Sequence, residues 1–135
     1  MSLNAFITSP TVDHELTPGI FFMSYGPNGS TFRAAKKLYQ GQNVIFLELC
    51  FIPNMPLHPL TPSYEISRMF KYENPNAETE YTNYIKKYPH RRKELQKIRE
   101  LTKTHTIYLI GFNANPMRDF RWTLKNLIES QEDLQ

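Results

Sequence analysis

Several features that mark particular classes of protein are scarce in this sequence. It contains one cysteine, Cys50, which excludes an internal disulfide and a zinc site rich in thiolates. No apolar run approaches the roughly 20 residues that a membrane-spanning helix needs. The amino-terminal stretch does not match a secretory signal. We therefore expect a cytoplasmic protein with no membrane partner.

Recognised ligand motifs are scarce as well. The four histidines, His14, His58, His90 and His105, do not pair at the spacing of metal ligands on a helix, so we expect no metal site and no cofactor. The turn at residues 26–29 leads to Ser30 without the lysine of a Walker motif. The chain has no internal repeat and no low-complexity tract.

The composition is that of a folded domain. Hydrophobic residues make up 40% of the 135 residues and aromatic residues 13%, which fits a globular protein and not a disordered one. We predict one domain over residues 1–135, with residues 1–19 as an N-terminal extension. The formal net charge is +3, and eight basic residues lie between Lys86 and Lys103 against Glu94 and Glu100. This asymmetry suggests an anionic partner.

The prediction of a site depends on a strand, a polar loop and a helix near the C-terminus. Residues 106–112 form a short apolar run typical of a buried strand. A loop over residues 113–116 interrupts it, and residues 119–129 then repeat apolar positions with a helical period. In α/β proteins such units place ligand sites at the carboxyl ends of the strands.

The first half of the chain predicts two further strands. Residues 20–25 and 44–52 read as strands, and residues 5–8 could add another. We predict Ser30 as the N-cap of a helix over residues 31–39. Four prolines between residues 53 and 62 predict an irregular loop.

The second half predicts three helices before the last strand. Thr61 is the expected N-cap of a helix that has Pro62 in its first position and ends near Tyr72. Asn76 is the expected cap of a helix that reaches Tyr88. Pro89 opens a basic helix that ends near Lys103.

The resulting order is β-α-β-α-α-α-β-α. It predicts an α/β fold with a mainly parallel β-sheet flanked by helices in a three-layer, Rossmann-like arrangement. If the 106 strand lies between the other two, the loops at residues 26–30 and 113–118 share one edge of the sheet and border a crevice.

Three motifs resemble a known family. They are Leu60-Thr-Pro-Ser-Tyr-Glu-Ile66, Glu80-Tyr-Thr-Asn-Tyr84 followed by Tyr88, and Phe22-Met-Ser-Tyr25. They are similar to the proline-rich loop, helices and first strand of the uncharacterised proteins catalogued as domain of unknown function 488. The resemblance covers residues 20–130. It implies the fold more than a function, because the family has no assigned activity.

The sequence departs from that family where the family has reactive groups. Glu48 and Cys50 stand where the family's strand usually has Asp and Arg. The family's Cys-His-Arg motif falls on Asp119-Phe120-Arg121, so only the arginine is retained. A degenerate enzyme is one interpretation of these departures, with Glu48, Cys50 and Arg121 as weak candidate catalytic residues, and whether the protein is an enzyme stays open.

Each of the two strand candidates also has a structural interpretation. Glu48 could join Arg118 or Arg121 in a site, or it could form a salt bridge or a solvent-exposed strand tip. Cys50 could be a nucleophile if nearby positive charge lowered its pKa, but a lone cysteine on an apolar strand is more often inert core.

The preferred hypothesis is a small-molecule or anion site at the carboxyl ends of the strands. Glycines in the turn after the first strand would let backbone N–H groups approach an anion, although an ordinary capped turn uses the same residues. The candidate ligand-binding residues come from three loops: Tyr25, Gly26, Asn28, Ser30, His58, Asn113, Asn115 and Arg118.

Two alternatives remain open. The basic helix over residues 90–103 could bind nucleic acid through Arg91, Arg92, Lys93 and Lys97, although its charges also fit a solvated helix face. A purely structural or interaction role is the other alternative.

Overall fold

The computed structural model describes residues 16–50 and 57–130. Within them, three strands and five helices follow the predicted order. They are β1 (Gly19–Ser24), α1 (Ser30–Leu38), β2 (Val44–Glu48), α2 (Tyr64–Lys71), α3 (Ala77–Lys87), α4 (Pro89–Leu101), β3 (Thr106–Gly111) and α5 (Phe120–Ser130). The possible strand at residues 5–8 lies outside the described residues.

The three strands form a parallel sheet in the order β1-β3-β2. Ser24 of β1 pairs with Gly111 of β3, and Glu48 of β2 pairs with Ile110. The 106 strand therefore lies between the other two, which is the arrangement that the expected crevice requires. Every residue of β3 is buried, as expected of a central strand that is apolar on both faces.

Alternating side chains of β3 divide the core between the two faces of the sheet. Ile107 and Leu109 pack with α2, α3, α4 and α5 on one face. Tyr108 and Ile110 pack with α1 on the other. Because successive strand residues point to opposite faces, the sheet carries helices on both sides. The predicted α/β domain with a parallel sheet and flanking helices is thus confirmed, and the Rossmann-like likeness stays a prediction.

Two predicted helix caps are wrong. Gly29, at φ 75°, is the N-cap of α1, and Ser30 is the first helical residue. Ser63 caps α2 in place of Thr61, and its hydroxyl accepts a hydrogen bond from the N–H of Ile66 at 3.2 Å. The carbonyl of Thr61 instead accepts a hydrogen bond from the hydroxyl of Tyr84 on α3. This contact between distant residues holds Thr61 and Pro62 ahead of the helix.

The remaining boundaries differ by a few residues from the predictions. Asn76 is the N-cap of α3 but makes no side-chain cap bond. Strand β2 ends at Glu48, so Cys50 follows the strand and does not lie on it as predicted. Helix α4 ends at Leu101, because the chain turns there towards β3.

Candidate functional site at the carboxyl edge of the sheet

The loops after β1 and β3 leave the sheet at the same edge, as predicted. This follows from the parallel pairing of Ser24 with Gly111, the last residues of the two strands. The N–H of Tyr25 extends the pairing by one bond, to the carbonyl of Gly111 at 3.0 Å. The carboxyl edge is therefore where the side chains of both loops meet.

Tyr25 and Phe112 are the first residues after β1 and β3 at this edge. Their ring centroids lie 4.7 Å apart, and the hydroxyl of Tyr25 donates a hydrogen bond to Oε1 of Glu48 at 2.9 Å. Burial, this bond and the charge of Glu48 raise the pKa of Tyr25 well above its ordinary value. Glu48 is an exposed strand tip whose carboxylate binds a phenol and not one of the two predicted arginines.

Arg121 lies at the same edge and is only 1% exposed. Its guanidinium donates to both carboxylate oxygens of Asp119 at 2.9–3.0 Å, to the carbonyl of Met23 at 3.1 Å and to that of Asn113 at 2.6 Å. A charge this deep is tolerated when it is paired and hydrogen-bonded. The four contacts tie β1, the loop after β3 and the start of α5 together.

The backbone at Gly111 makes room for this arginine. A Cβ atom at Gly111 would lie 2.6 Å from both Cζ and Nε of Arg121. Only glycine therefore allows the guanidinium to rest against the end of β3. Gly111 and the buried Arg121 therefore form one structural unit.

Cys50 is half-buried beside this unit. Its thiol lies 3.8 Å from the carbonyl of Ile110, to which it donates. Burial raises the pKa of the Cys50 thiol, and this effect outweighs the lowering by the backbone of Phe112 and by Arg121. The thiol is thus neutral near pH 7, which argues against an activated nucleophile.

A cleft of about 570 Å³ opens between Cys50, α2 and the segment that joins β3 to α5. This volume lies within the range of small-molecule sites. The cleft is lined by Cys50, Tyr64, Ser67, Phe70, Lys71, Glu73, Phe112, Asn113, Arg118, Asp119 and Phe120. It combines aromatic walls with charges of both signs.

Some of the predicted site residues meet at this cleft. Cys50, Asn113 and Arg118 line it, and Arg121 reaches it through Asp119. Glu48 ends β2, the thiol of Cys50 donates to the carbonyl of Ile110 on β3, and Arg121 donates to that of Met23 on β1. The three candidate catalytic residues therefore lie at the same end of the sheet.

Other predicted site residues lie elsewhere. Gly26 and Asn28 belong to the turn before α1, Ser30 is the first residue of that helix, and Arg33 donates to the carbonyl of Asn28 at 2.6 Å. None of these residues lines the cleft. The cleft therefore lies between α2 and the segment after β3, and not between the two loops that were expected to border a crevice.

Asn115 and His58 make local structural bonds. The side chain of Asn115 accepts from the N–H of Met117 at 3.0 Å. Nε2 of His58 lies 3.2 Å from Oε1 of Glu94, and its Nδ1 accepts from the N–H of Leu60. His58 thus attaches the segment before α2 to α4 and does not line the cleft.

Several residues of the cleft are not among the predicted site residues. Tyr64, Ser67 and Lys71 recur at positions i, i+3 and i+7 of α2, a spacing that puts them on one helix face. That pattern was available in the sequence, but nothing in it indicated which edge of the sheet α2 would border. Asp119 was noted only as the residue at a family cysteine position.

The basic helix uses two of its arginines to cap α3. Arg91 donates to the carbonyl of Tyr84 at 3.0 Å, and Arg92 donates to that of Lys86 at 2.5 Å. The last carbonyls of a helix lack partners within the helix, so these bonds stabilise its end. Of the four predicted nucleic-acid contacts, Lys93 and Lys97 are the exposed ones.

The described residues contain no group of three or more His, Cys, Asp and Glu side chains placed to hold a metal ion. Among the helices of these residues, none has both the length and the apolar character needed to cross a membrane. Comparison with protein-family models, with curated proteins and with solved structures finds no match. The resemblance to the family described above therefore stays an expectation.

Proposed function

We propose that this protein binds a small organic anion in the cleft between α2 and the segment after β3. The observation that carries this proposal is the position of the cleft. It lies where the parallel strands end, the edge at which α/β proteins bind ligands. Its volume of about 570 Å³ suits a single small molecule.

The charges at the cleft favour an anion. Asp119 is already neutralised by Arg121, so its carboxylate does not repel a negative ligand. Lys71 and Arg118 then face one remaining carboxylate, that of Glu73. Arg118 and Glu73 lie 3.7 Å apart with both side chains mostly exposed, a pair of little net strength. An incoming carboxylate or phosphate can replace Glu73 as the partner of Arg118.

The proposal is binding and does not include thiol catalysis. The raised pKa of Cys50 keeps its thiol protonated near neutral pH, so the thiol offers a neutral, weakly polar wall. This fits the interpretation of a degenerate enzyme, in which the fold and the edge site persist without the family's reactive groups.

Competition with thiol labelling tests the proposal and locates the ligand. Cys50 is the only cysteine, so a slowly reacting thiol reagent reports on the cleft alone. Benzoate, cyclohexanecarboxylate, adenosine monophosphate and ribose 5-phosphate serve as probes, with calorimetry to measure affinity. We expect at least one of them to bind and to slow the labelling of Cys50.

The double variant Lys71→Gln/Arg118→Gln should weaken that binding roughly tenfold or more, by loss of two charge-assisted contacts. The double variant Lys93→Gln/Lys97→Gln removes the same charge from exposed positions on α4 and is the matched control. Equal weakening in both variants, or no binding by any probe, would refute an anion site in the cleft.

A further inference from the structure

Two large aromatic side chains at the cleft are mostly exposed to solvent. Tyr64 is 63% exposed and Phe112 is 69% exposed, although both line the cleft. Most large apolar side chains of the described residues are buried or half-buried in the two halves of the core. Single exposed apolar side chains are common, but two exposed aromatic rings that line one cleft form a surface suited to a ligand.

Both rings are supported on one side by other residues. Phe112 stacks against Tyr25, whose hydroxyl is held by Glu48. The guanidinium of Arg68 lies 5.8 Å from the ring centroid of Tyr64, at the start of a helix capped by Ser63. Rings that are already positioned lose little conformational entropy when a ligand stacks on them.

The same cleft contains Lys71 and Arg118, the cations on which the proposed anion site depends. Resting on that proposed function, we propose that the ligand is a planar aromatic anion. Its ring would contact Tyr64 and Phe112, and its carboxylate or phosphate would contact Lys71 and Arg118. Offset stacking of the ring on the two side chains would provide the selectivity.

Two classes of compound combine an aromatic ring with an acidic group: mononucleotides and aromatic carboxylic acids. Two matched probe pairs distinguish them: adenosine monophosphate with ribose 5-phosphate, and benzoate with cyclohexanecarboxylate. The members of each pair have the same kind of acidic group and differ in the aromatic ring. We expect the aromatic member of one pair to bind roughly fivefold or more tightly than its partner. The pair with the larger ratio identifies the source.

Substitutions of two exposed tyrosines provide the second measurement. Tyr64→Leu should lower the affinity for the aromatic probe roughly 2- to 12-fold and leave the affinity for its non-aromatic partner unchanged. Tyr88→Leu is the control, because Tyr88 is 41% exposed and lies against the cation of Arg91 but does not line the cleft. Both substitutions are at the surface, so both variants should fold.

The outcomes separate this inference from the proposed function. Binding in the cleft with equal affinity for the members of both pairs would overturn the aromatic ligand and leave the anion site standing. An equal effect of Tyr64→Leu and Tyr88→Leu would also overturn it. Failure of all four probes to slow the labelling of Cys50 would overturn both proposals.

Discussion

Arg121 shows how one side chain can organise the carboxyl edge. Its bonds reach Asp119 two residues away and Met23 at a sequence separation of 98. Removal of one partner of a buried pair is costly, since the other charge is left without compensation. The position of Phe112 and of the loop after it therefore depends on Arg121.

A substitution at Gly111 tests this unit without removal of a charge. Gly111→Ala should lower the free energy of unfolding by about 1–3 kcal/mol, because the new methyl group overlaps the guanidinium of Arg121. In an Arg121→Lys background the same substitution should cost less. Urea unfolding of both single variants and the double variant gives the coupling energy, and strictly additive losses would contradict the proposed contact.

Cys50→Ser should retain the fold and bind the same probes. The serine hydroxyl can still donate to the carbonyl of Ile110, so we expect a loss of about 1 kcal/mol in the free energy of unfolding. In the wild-type protein, thiol labelling near neutral pH should be slow and should accelerate on denaturation, since burial raises the pKa of Cys50. Rapid labelling of the native protein would show an activated thiol.

At the scale of elements, hydrogen bonds between distant segments hold the helix layer beside the cleft. Tyr81 of α3 donates to the carbonyl of Leu60 at 2.6 Å, and His58 contacts Glu94 of α4. Arg99 of α4 donates to the carbonyl of Leu127 in the last turn of α5. Basic residues of α4 thus stabilise the ends of two neighbouring helices.

The bonds from α4 to the end of α3 lead to a prediction about one arginine of α4. Arg92→Gln should lower the free energy of unfolding by about 1–2 kcal/mol, because the carbonyl of Lys86 loses a charged donor. Lys93→Gln, the neighbouring exposed position, should change it by less than about 0.5 kcal/mol. Thermal or urea unfolding measures both. Equal effects would mean that general charge on α4, and not the cap, provides the stabilisation.

At the scale of the whole molecule, the core on both faces of the sheet contains tyrosines whose ionisation opposes folding. Burial is the main cause that raises the pKa of Tyr25, Tyr39, Tyr81 and Tyr108. These phenols keep their protons in the folded protein above about pH 10, where an unfolded chain loses them. The folded state then binds more protons than the unfolded state, so stability falls as pH rises.

We therefore expect the free energy of unfolding to decline above about pH 10. The stabilisation from the protonated tyrosines is lost fully once the pH exceeds their pKa values in the folded protein. Tyr81→Phe should make the decline shallower by at most about 1.4 kcal/mol per pH unit, the effect of one proton. Urea unfolding from about pH 8 to 11 measures the slope. Stability that rises over this range would contradict the assignment.

The surface charge of the whole molecule predicts weak binding to nucleic acid. Arg91 and Arg92 are committed to the end of α3, and Glu94 and Glu100 dilute the remaining charge of α4. We expect no sub-micromolar affinity for DNA or RNA at physiological salt. An anisotropy titration that found such an affinity, with a steep dependence on salt, would favour the alternative function.

The sequence alone determined the order of elements, the parallel sheet and the end of the sheet at which the loops after β1 and β3 emerge. These follow from local patterns, such as the apolar run of β3 and the strand–loop–helix connections, whose geometry allows few arrangements. Only the tertiary structure decided that α2, and not the turn after β1, borders the cleft. It also decided that Arg121 binds Met23 and that Ser63, not Thr61, caps α2. Such choices depend on how distant segments dock, which the period of a local pattern does not encode.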